Sequence, residues 1–148
     1  GHLAPTWVKE RPRFSPLMLY SFEQTMDALN ALRSSEGSPY EGISLEYTNP
    51  QTGGPVTPTV ACRVQLLRKG EKLKARRVTG SSVFHVVRGK GRTVIDGKPF
   101  DWAKGDIIAL PSWAQHAHEN TGAEDAILFS ISDRPVIEAL GFYREELA

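Results

Sequence analysis

Histidines, arginines and one cysteine are the residues of this 148-residue chain that could do chemistry. His116 and His118 stand two apart, so on a strand they share a face. With His85 they would make three imidazoles, enough neutral donors for a metal ion. Strand parity speaks against that site: counting in twos from Ser82 sends Phe84 and Val86 to one side and His85 to the other. His118 runs into Glu119 and Asn120, so it is expected at an exposed strand end, with His116 alone facing an interior. Arg76 and Arg77 are adjacent and face opposite sides. An inward Arg76 could grip a carboxylate in bidentate fashion, but a pairing with an internal carboxylate or backbone carbonyls is the expectation. Lys69, Lys72 and Lys74 extend these arginines into a basic run, expected to be a solvated face. Trp102 and Trp113 flank strand ends, where indole rings cover a core; stacking on a ligand is the alternative. Cys62, among Val60, Ala61 and Val64, has no His or Asp spaced to activate it and is expected to be an inert buried thiol. Ser81 and Ser82 lack any triad context. No catalytic residue is expected.

Composition narrows the field. Lys+Arg 18 against Asp+Glu 17 gives a net charge of +1, too little for a strongly basic nucleic-acid face. With 40% hydrophobic and 24% charged residues the chain reads as soluble and globular, with no stretch able to span a bilayer and no secretory leader. A single cysteine excludes an internal disulfide framework and fits a reducing cytoplasm. The chain opens Gly1-His2 without Met, as expected of a trimmed tag or a piece of something longer.

The elements that must position these side chains follow from pattern. Residues 1–20, with Pro5, Pro12 and Pro16 between Trp7, Phe14, Leu17, Leu19 and Tyr20, read as an extended arm. Ser21 with Gln24 three residues on is a capping pattern, and Phe22, Met26, Leu29 and Leu32 follow at helical spacing, so a helix is predicted to about Ser34. A first segment, 1–40, is thus arm and helix; 41–148 is the second. From Tyr40 to Pro58 the chain is loop-rich, with a strand-like piece at Ile43–Tyr47. Short strands are predicted at Val60–Leu67, Val83–Arg88, Thr93–Ile95, Pro99–Trp102, Ile107–Leu110 and Ala126–Ile131. Asp96-Gly97 signals a hairpin, and Gly89, Gly91, Gly97 and Gly105 are expected to supply positive φ at corners. Short strands without intervening helices imply an all-β sandwich or barrel. A last helix is predicted from a Ser132 or Asp133 cap, turning Val136, Ile137 and Leu140 inward and stopping at Gly141.

The stretch Gly70 to Asn120 resembles the cupin family, small jelly-roll β-barrels. Gly70 and Gly89 end the frame of the family's first motif; Gly105, Pro111, His116 and Asn120 fit its second, with Trp113 where a Gly is usual. Threading the first motif puts Arg76 and Val78 at its two His positions and Ser82 at its Glu. Of the usual metal ligands only His116 remains, a vestige. Because arginine stays protonated and repels a divalent cation, the resemblance implies a metal-free barrel.

A closer resemblance runs through Ser15-Pro16-Leu17-Met18-Leu19-Tyr20, Ser38-Pro39-Tyr40-Glu41-Gly42, Tyr47 to Pro55, Ser130 to Pro135 and Glu138 to Glu146. These look like the C-terminal cupin of gentisate 1,2-dioxygenases, whose relatives act on salicylate and 1-hydroxy-2-naphthoate. The resemblance implies two barrels in one oligomeric chain, with Fe(II) held by three histidines in the N-terminal barrel. It also implies O₂ insertion into a ring bearing hydroxyl and carboxylate groups. This half would then be structural, its partners the N-terminal cupin or identical subunits. The alternative is a stand-alone cupin that captures a small aromatic or organic acid through Arg76 and His116, with Phe84 and Trp113 beside them. A third reading is a metalloenzyme with a rearranged site.

Overall fold

The computed structural model describes residues 17–148. Pro5, Trp7, Pro12, Phe14 and Pro16, and with them most of the expected arm, lie outside the described residues. The helix α1 (Phe22–Leu32) begins as predicted, with the Gln24 amide donating to the Ser21 hydroxyl. Its apolar stripe is only half used. Leu29 is fully buried, while Phe22 and Leu32 at the two ends stay exposed.

Among the described residues ten strands follow that helix: β1 (Ile43–Glu46), β2 (Ala61–Leu67), β3 (Arg76–Val78), β4 (Ser82–Arg88), β5 (Lys90–Ile95), β6 (Lys98–Ala103), β7 (Ile107–Leu110), β8 (His116–Asn120), β9 (Ala126–Ser132) and β10 (Glu145–Leu147). A short helix, α2 (Arg134–Ala139), precedes the last strand. The strands form two antiparallel five-stranded sheets, ordered β1-β2-β9-β4-β7 and β10-β3-β8-β5-β6. This is the jelly-roll cupin architecture expected, with predicted strands within three residues of their observed bounds.

Alternation does the sorting. Phe84 and Val86 are buried and His85 is exposed, as parity requires. Leu67, Phe84, Val86, Trp102, Ile108, Leu110 and Leu128 fill the space between the sheets. On the outer face of the first sheet, α1 covers Ile43, Val64, Leu66 and Ile127 through Leu29 and Met26. Asp96 and Gly97 carry φ of 47° and 80° in the predicted hairpin. Gly91 has a different reason from the one expected. It does not take positive φ; a Cβ there would overlap the Glu119 carbonyl oxygen and the Trp102 ring.

Two other expectations are corrected. In α2 no residue is buried, and Leu140 lies 60% exposed, so that helix does not turn Val136, Ile137 and Leu140 into a core. Cys62 is only partly buried on the outer sheet face, though burial and nearby Glu46 do push its thiol pKa up, against thiolate chemistry. Among the described residues no helix is long and apolar enough to cross a membrane.

Candidate functional site

The barrel changes character towards one end. On β2, β4 and β9 the inward residues Leu67, Val86 and Leu128 give way to Gln65, Ser82 and Ser130, which line a lumen with Arg76, Val78, Phe84, His116 and His118. The lumen has a volume of about 50 Å³. It leads to a wider vestibule of about 500 Å³ bounded by Tyr40, Glu41, Arg63, Arg76, Arg134 and Glu145.

Arg76 sits on β3, opposite His116 of β8 in the sheet register. Its Nη2 donates to Glu41 Oε1 at 2.7 Å, and Glu145 Oε1 lies 3.8 Å from Nη1. The expected pairing with a protein carboxylate is therefore what the fold builds. Glu41 arrives from the Ser38–Gly42 turn, where backbone bonds between Ser38 and Gly42 close a tight loop. The same Glu41 oxygen accepts from Arg63 Nη1 at 3.3 Å, and the Glu41 carbonyl accepts from Gln65 Nε2 at 3.0 Å. Arg134 stands over the Tyr143 ring, 4.1 Å from its centroid, with its Nε donating to Glu138. Three guanidiniums and one carboxylate thus line the lumen itself.

The histidines are both inside, which corrects the exposed position expected for His118. His116 and His118 are 5% and 3% exposed, with ring centroids 5.9 Å apart. His116 Nδ1 lies 3.1 Å from the Ala114 carbonyl, which can only accept, so Nδ1 carries the proton and Nε2 a lone pair. His118 is fixed by a buried chain. Trp102 Nε1 donates to Thr93 Oγ1 at 2.9 Å, and the Thr93 hydroxyl faces His118 Nδ1 at 2.8 Å. With its oxygen accepting from Trp102, the hydroxyl gives its one proton to Nδ1, leaving the His118 proton on Nε2. Burial, then the neighbouring His116 and Arg76, push the His118 pKa down to about 3. Burial lowers His116 too, with Arg76 adding to it and the Ala114 hydrogen bond opposing. Both imidazoles are neutral at pH 7.

Of the residues expected to meet a ligand, the fold brings Arg76, His116 and Phe84 to one lumen, with Val78 and Ser82 beside them. Trp113 is not among them. It occupies a turn with φ of 65°, donates its N–H to Val78, and is 36% exposed. A left-handed backbone at the position where a Gly is usual costs about 1–2 kcal/mol. Sequence reasoning missed Gln65, Glu41 and Ser130. Gln65 lies inside the predicted Val60–Leu67 strand at the right parity, and a polar residue inward was the available signal.

The residues present do not fit a metal ion. Arg76 holds a cation opposite His116, Val78 offers no donor, and His118 Nδ1 is engaged by Thr93. Among the described residues no three His, Cys, Asp or Glu side chains form a group that could hold a metal ion.

Comparison with known proteins agrees with this architecture. The cupin domain family matches residues 63–132. A 5-aminosalicylate 1,2-dioxygenase of Comamonas is 45% identical over 99% of the chain and 39% of its own length. A gentisate 1,2-dioxygenase of Aquipseudomonas alcaligenes is 37% identical over 98% of the chain and 42% of its own length. The crystal structure of a salicylate 1,2-dioxygenase from Pseudoaminobacter salicylatoxidans, solved with gentisate, superposes with a TM-score of 0.82 at 34% identity, covering 99% of this chain and 41% of that one. The chain thus spans about two fifths of the length of the relatives it matches.

Proposed function

We propose, from the premise that this chain belongs to the cupin family and is similar over nearly its whole length to aromatic 1,2-dioxygenases, that it is a metal-free cupin unit with a structural and assembly role in such a ring-cleaving enzyme. One observation carries the reading. Where a cupin metal site needs converging donors, this barrel has the Arg76–Glu41 ion pair facing His116. A guanidinium, protonated at every accessible pH, opposes a divalent cation at that point. Coverage of only two fifths of the relatives fits a unit that works beside another. In this reading the unit is the C-terminal barrel, the iron belongs to the N-terminal cupin, and the partner is that barrel or an identical subunit.

The test is metal content by plasma mass spectrometry after anaerobic Fe(II) reconstitution, with oxygen uptake on gentisate and salicylate. The expected result is far less than one iron per chain and no uptake. Near-stoichiometric iron with ring cleavage overturns the reading. Light scattering addresses assembly: self-association, or association with another barrel, is expected, and a strictly monomeric chain that binds no second barrel removes the assembly role.

Capture of a small aromatic acid by Arg76 and His116 has less support. Ordinary ligand pockets run from about 300 Å³ upward, and the lumen is about 50 Å³. Such an acid would have to stay in the vestibule, reaching the guanidinium of Arg76 but not His116. Calorimetry with salicylate on the chain and on Arg76→Ala decides this; an equal heat in both removes the contact.

A further inference from the structure

Two buried side-chain atoms have no hydrogen-bond partner among the described residues, Gln65 Oε1 and Arg76 Nε, and both residues line the same lumen. The Gln65 amide cannot be turned round to cure this. Its Nε2 faces the Glu41 carbonyl, which only accepts, so Oε1 is the inward atom and asks for a donor. Gln65 is 5% exposed. Arg76 Nε asks for an acceptor while the far end of its guanidinium is held by Glu41. An unpaired buried donor or acceptor costs about 1–3 kcal/mol, more when charged. The fold carries one of each in one lumen, Gln65 on β2 of the first sheet and Arg76 on β3 of the second. His118 adds an inward Nε2–H and His116 a lone pair, as their tautomers require.

Charge and size restrict what answers them. Arg63, Arg76 and Arg134 line the lumen with Glu41 as the one carboxylate on its wall, and Glu46, Glu145 and Glu138 pair with them from outside that lining. The guanidinium donor that has no partner among the described residues is Arg76 Nε. A buried site needs roughly 10–15 Å³ for each water-sized unit, so about 50 Å³ admits a guest of only a handful of heavy atoms. We propose that the lumen binds a small oxyanion that keeps one O–H, of which bicarbonate is the smallest ordinary example. Its anionic oxygen accepts from Arg76 Nε, and its hydroxyl donates to Gln65 Oε1. Nitrate and formate match the charge and size but bring no donor, so they leave Gln65 unpaired. The proposal is independent of the structural role above: a barrel without metal or partner still presents these two atoms.

The experiment uses the whole chain at mildly alkaline pH. Sodium bicarbonate, nitrate and formate are titrated separately while the ring resonances of His116 and His118 and the Nε–H of Arg76 are followed by NMR. Saturable shifts at all three groups are expected with bicarbonate, and binding about tenfold weaker with nitrate and formate, the worth of one buried hydrogen bond to a charged partner. Gln65→Leu should bring bicarbonate down to the level of nitrate, whereas Arg76→Lys should weaken all three anions. Equal affinity for bicarbonate and nitrate overturns the pairing with Gln65. No saturable shift with any anion, with water alone filling the lumen, overturns the site. If a variant fails to fold, the selectivity of the unaltered chain still decides between these outcomes.

Discussion

Leu128 and Ser130 point into the same barrel from the same strand, two residues apart, yet they belong to different solvents. Leu128 is fully buried among Phe84, Val86 and Trp102; Ser130 is 7% exposed and, with Gln65 of the neighbouring strand, lines a polar lumen shared with Arg76 and His116 of the other sheet. The same step recurs from Leu67 to Gln65 on β2 and from Val86 through Phe84 to Ser82 on β4. Alternation decides which residues enter the barrel. It does not decide whether the barrel is dry, and here the change is staggered from β2 to β9 to β4, because Gln65 pairs with Leu128, Ser130 with Phe84 and Ser82 with Ser132. One end of the interior is packed for stability and the other is left polar at a cost.

The sharpest way to break this comparison is to cut into both ends on one strand. Leu128→Ala removes a fully buried side chain from a close-packed cluster and should cost about 3 kcal/mol. Ser130→Ala, two residues away, should stay within about 0.5 kcal/mol, because water or Gln65 can take up what the hydroxyl did. Urea unfolding of the two variants reads the difference. Equal costs would mean that the lumen is as tightly packed as the core and that the two regions are one.

Second in size is the acid limb of stability, which the polar end should set. His118 has a folded pKa of about 3 against 6.5 when unfolded. Below pH 6.5 the unfolded chain binds a proton that the folded chain refuses until about pH 3. The stabilisation is therefore complete above pH 6.5 and is lost as pH falls through that window. From pH 7 to pH 5 the loss is about 2 kcal/mol. His116, also lowered by burial, adds to it in the same direction. His118→Gln should flatten the limb without removing it. An unchanged acid limb in that variant would show that His118 is not the neutral, buried group the Thr93 chain implies.

What holds His118 in place is also where the two ends touch, because Trp102 belongs to the dry cluster and hands its N–H to Thr93. Thr93→Val keeps the volume and removes the hydroxyl. Trp102 Nε1 and His118 Nδ1 then both lose their partner, for about 2 kcal/mol in thermal or urea unfolding. The His118 ring resonances should broaden or shift with it. A variant as stable as the parent would mean that the two rings find other partners and that the chain of bonds joins nothing.

Much of this arrangement was legible in the residues. Parity placed Phe84, Val86 and His85 correctly, the Ser21 cap placed α1, and Asp96-Gly97 placed a hairpin. Threading put Arg76 beside His116, where the register puts them. The rest was hidden for physical reasons. β3 and β10 are three residues each, Arg76–Val78 and Glu145–Leu147, too short and too polar to show alternation. His118 looked exposed because Glu119 and Asn120 follow it. Yet Asn120 is itself buried, its amide donating to the Leu67 and Glu124 carbonyls. A polar residue is buried when distant partners satisfy it, and those partners come from other strands. Glu41 was invisible for the same reason. Its two arginines lie 22 and 35 residues away.

The smallest effect bears most directly on why the polar end exists. Gln65→Leu sits one inward step from Leu67 and extends the dry packing into the lumen. It gives up the bond to the Glu41 carbonyl, which can turn to vestibule water, for about 1 kcal/mol at most. In return it removes an acceptor that nothing in the protein satisfies and buries apolar area in its place. The balance should favour the variant by about 1 kcal/mol in urea unfolding without added anion. That sign is opposite to Leu128→Ala, where loss of apolar volume destabilises. A more stable Gln65→Leu that no longer distinguishes bicarbonate from nitrate would mean that the natural chain gives up stability at this position to keep a polar lumen, as sites shaped for binding often do. A less stable one, with no anion present, would mean instead that Gln65 serves the Ser38–Gly42 turn, and the two ends would then differ in composition but not in purpose.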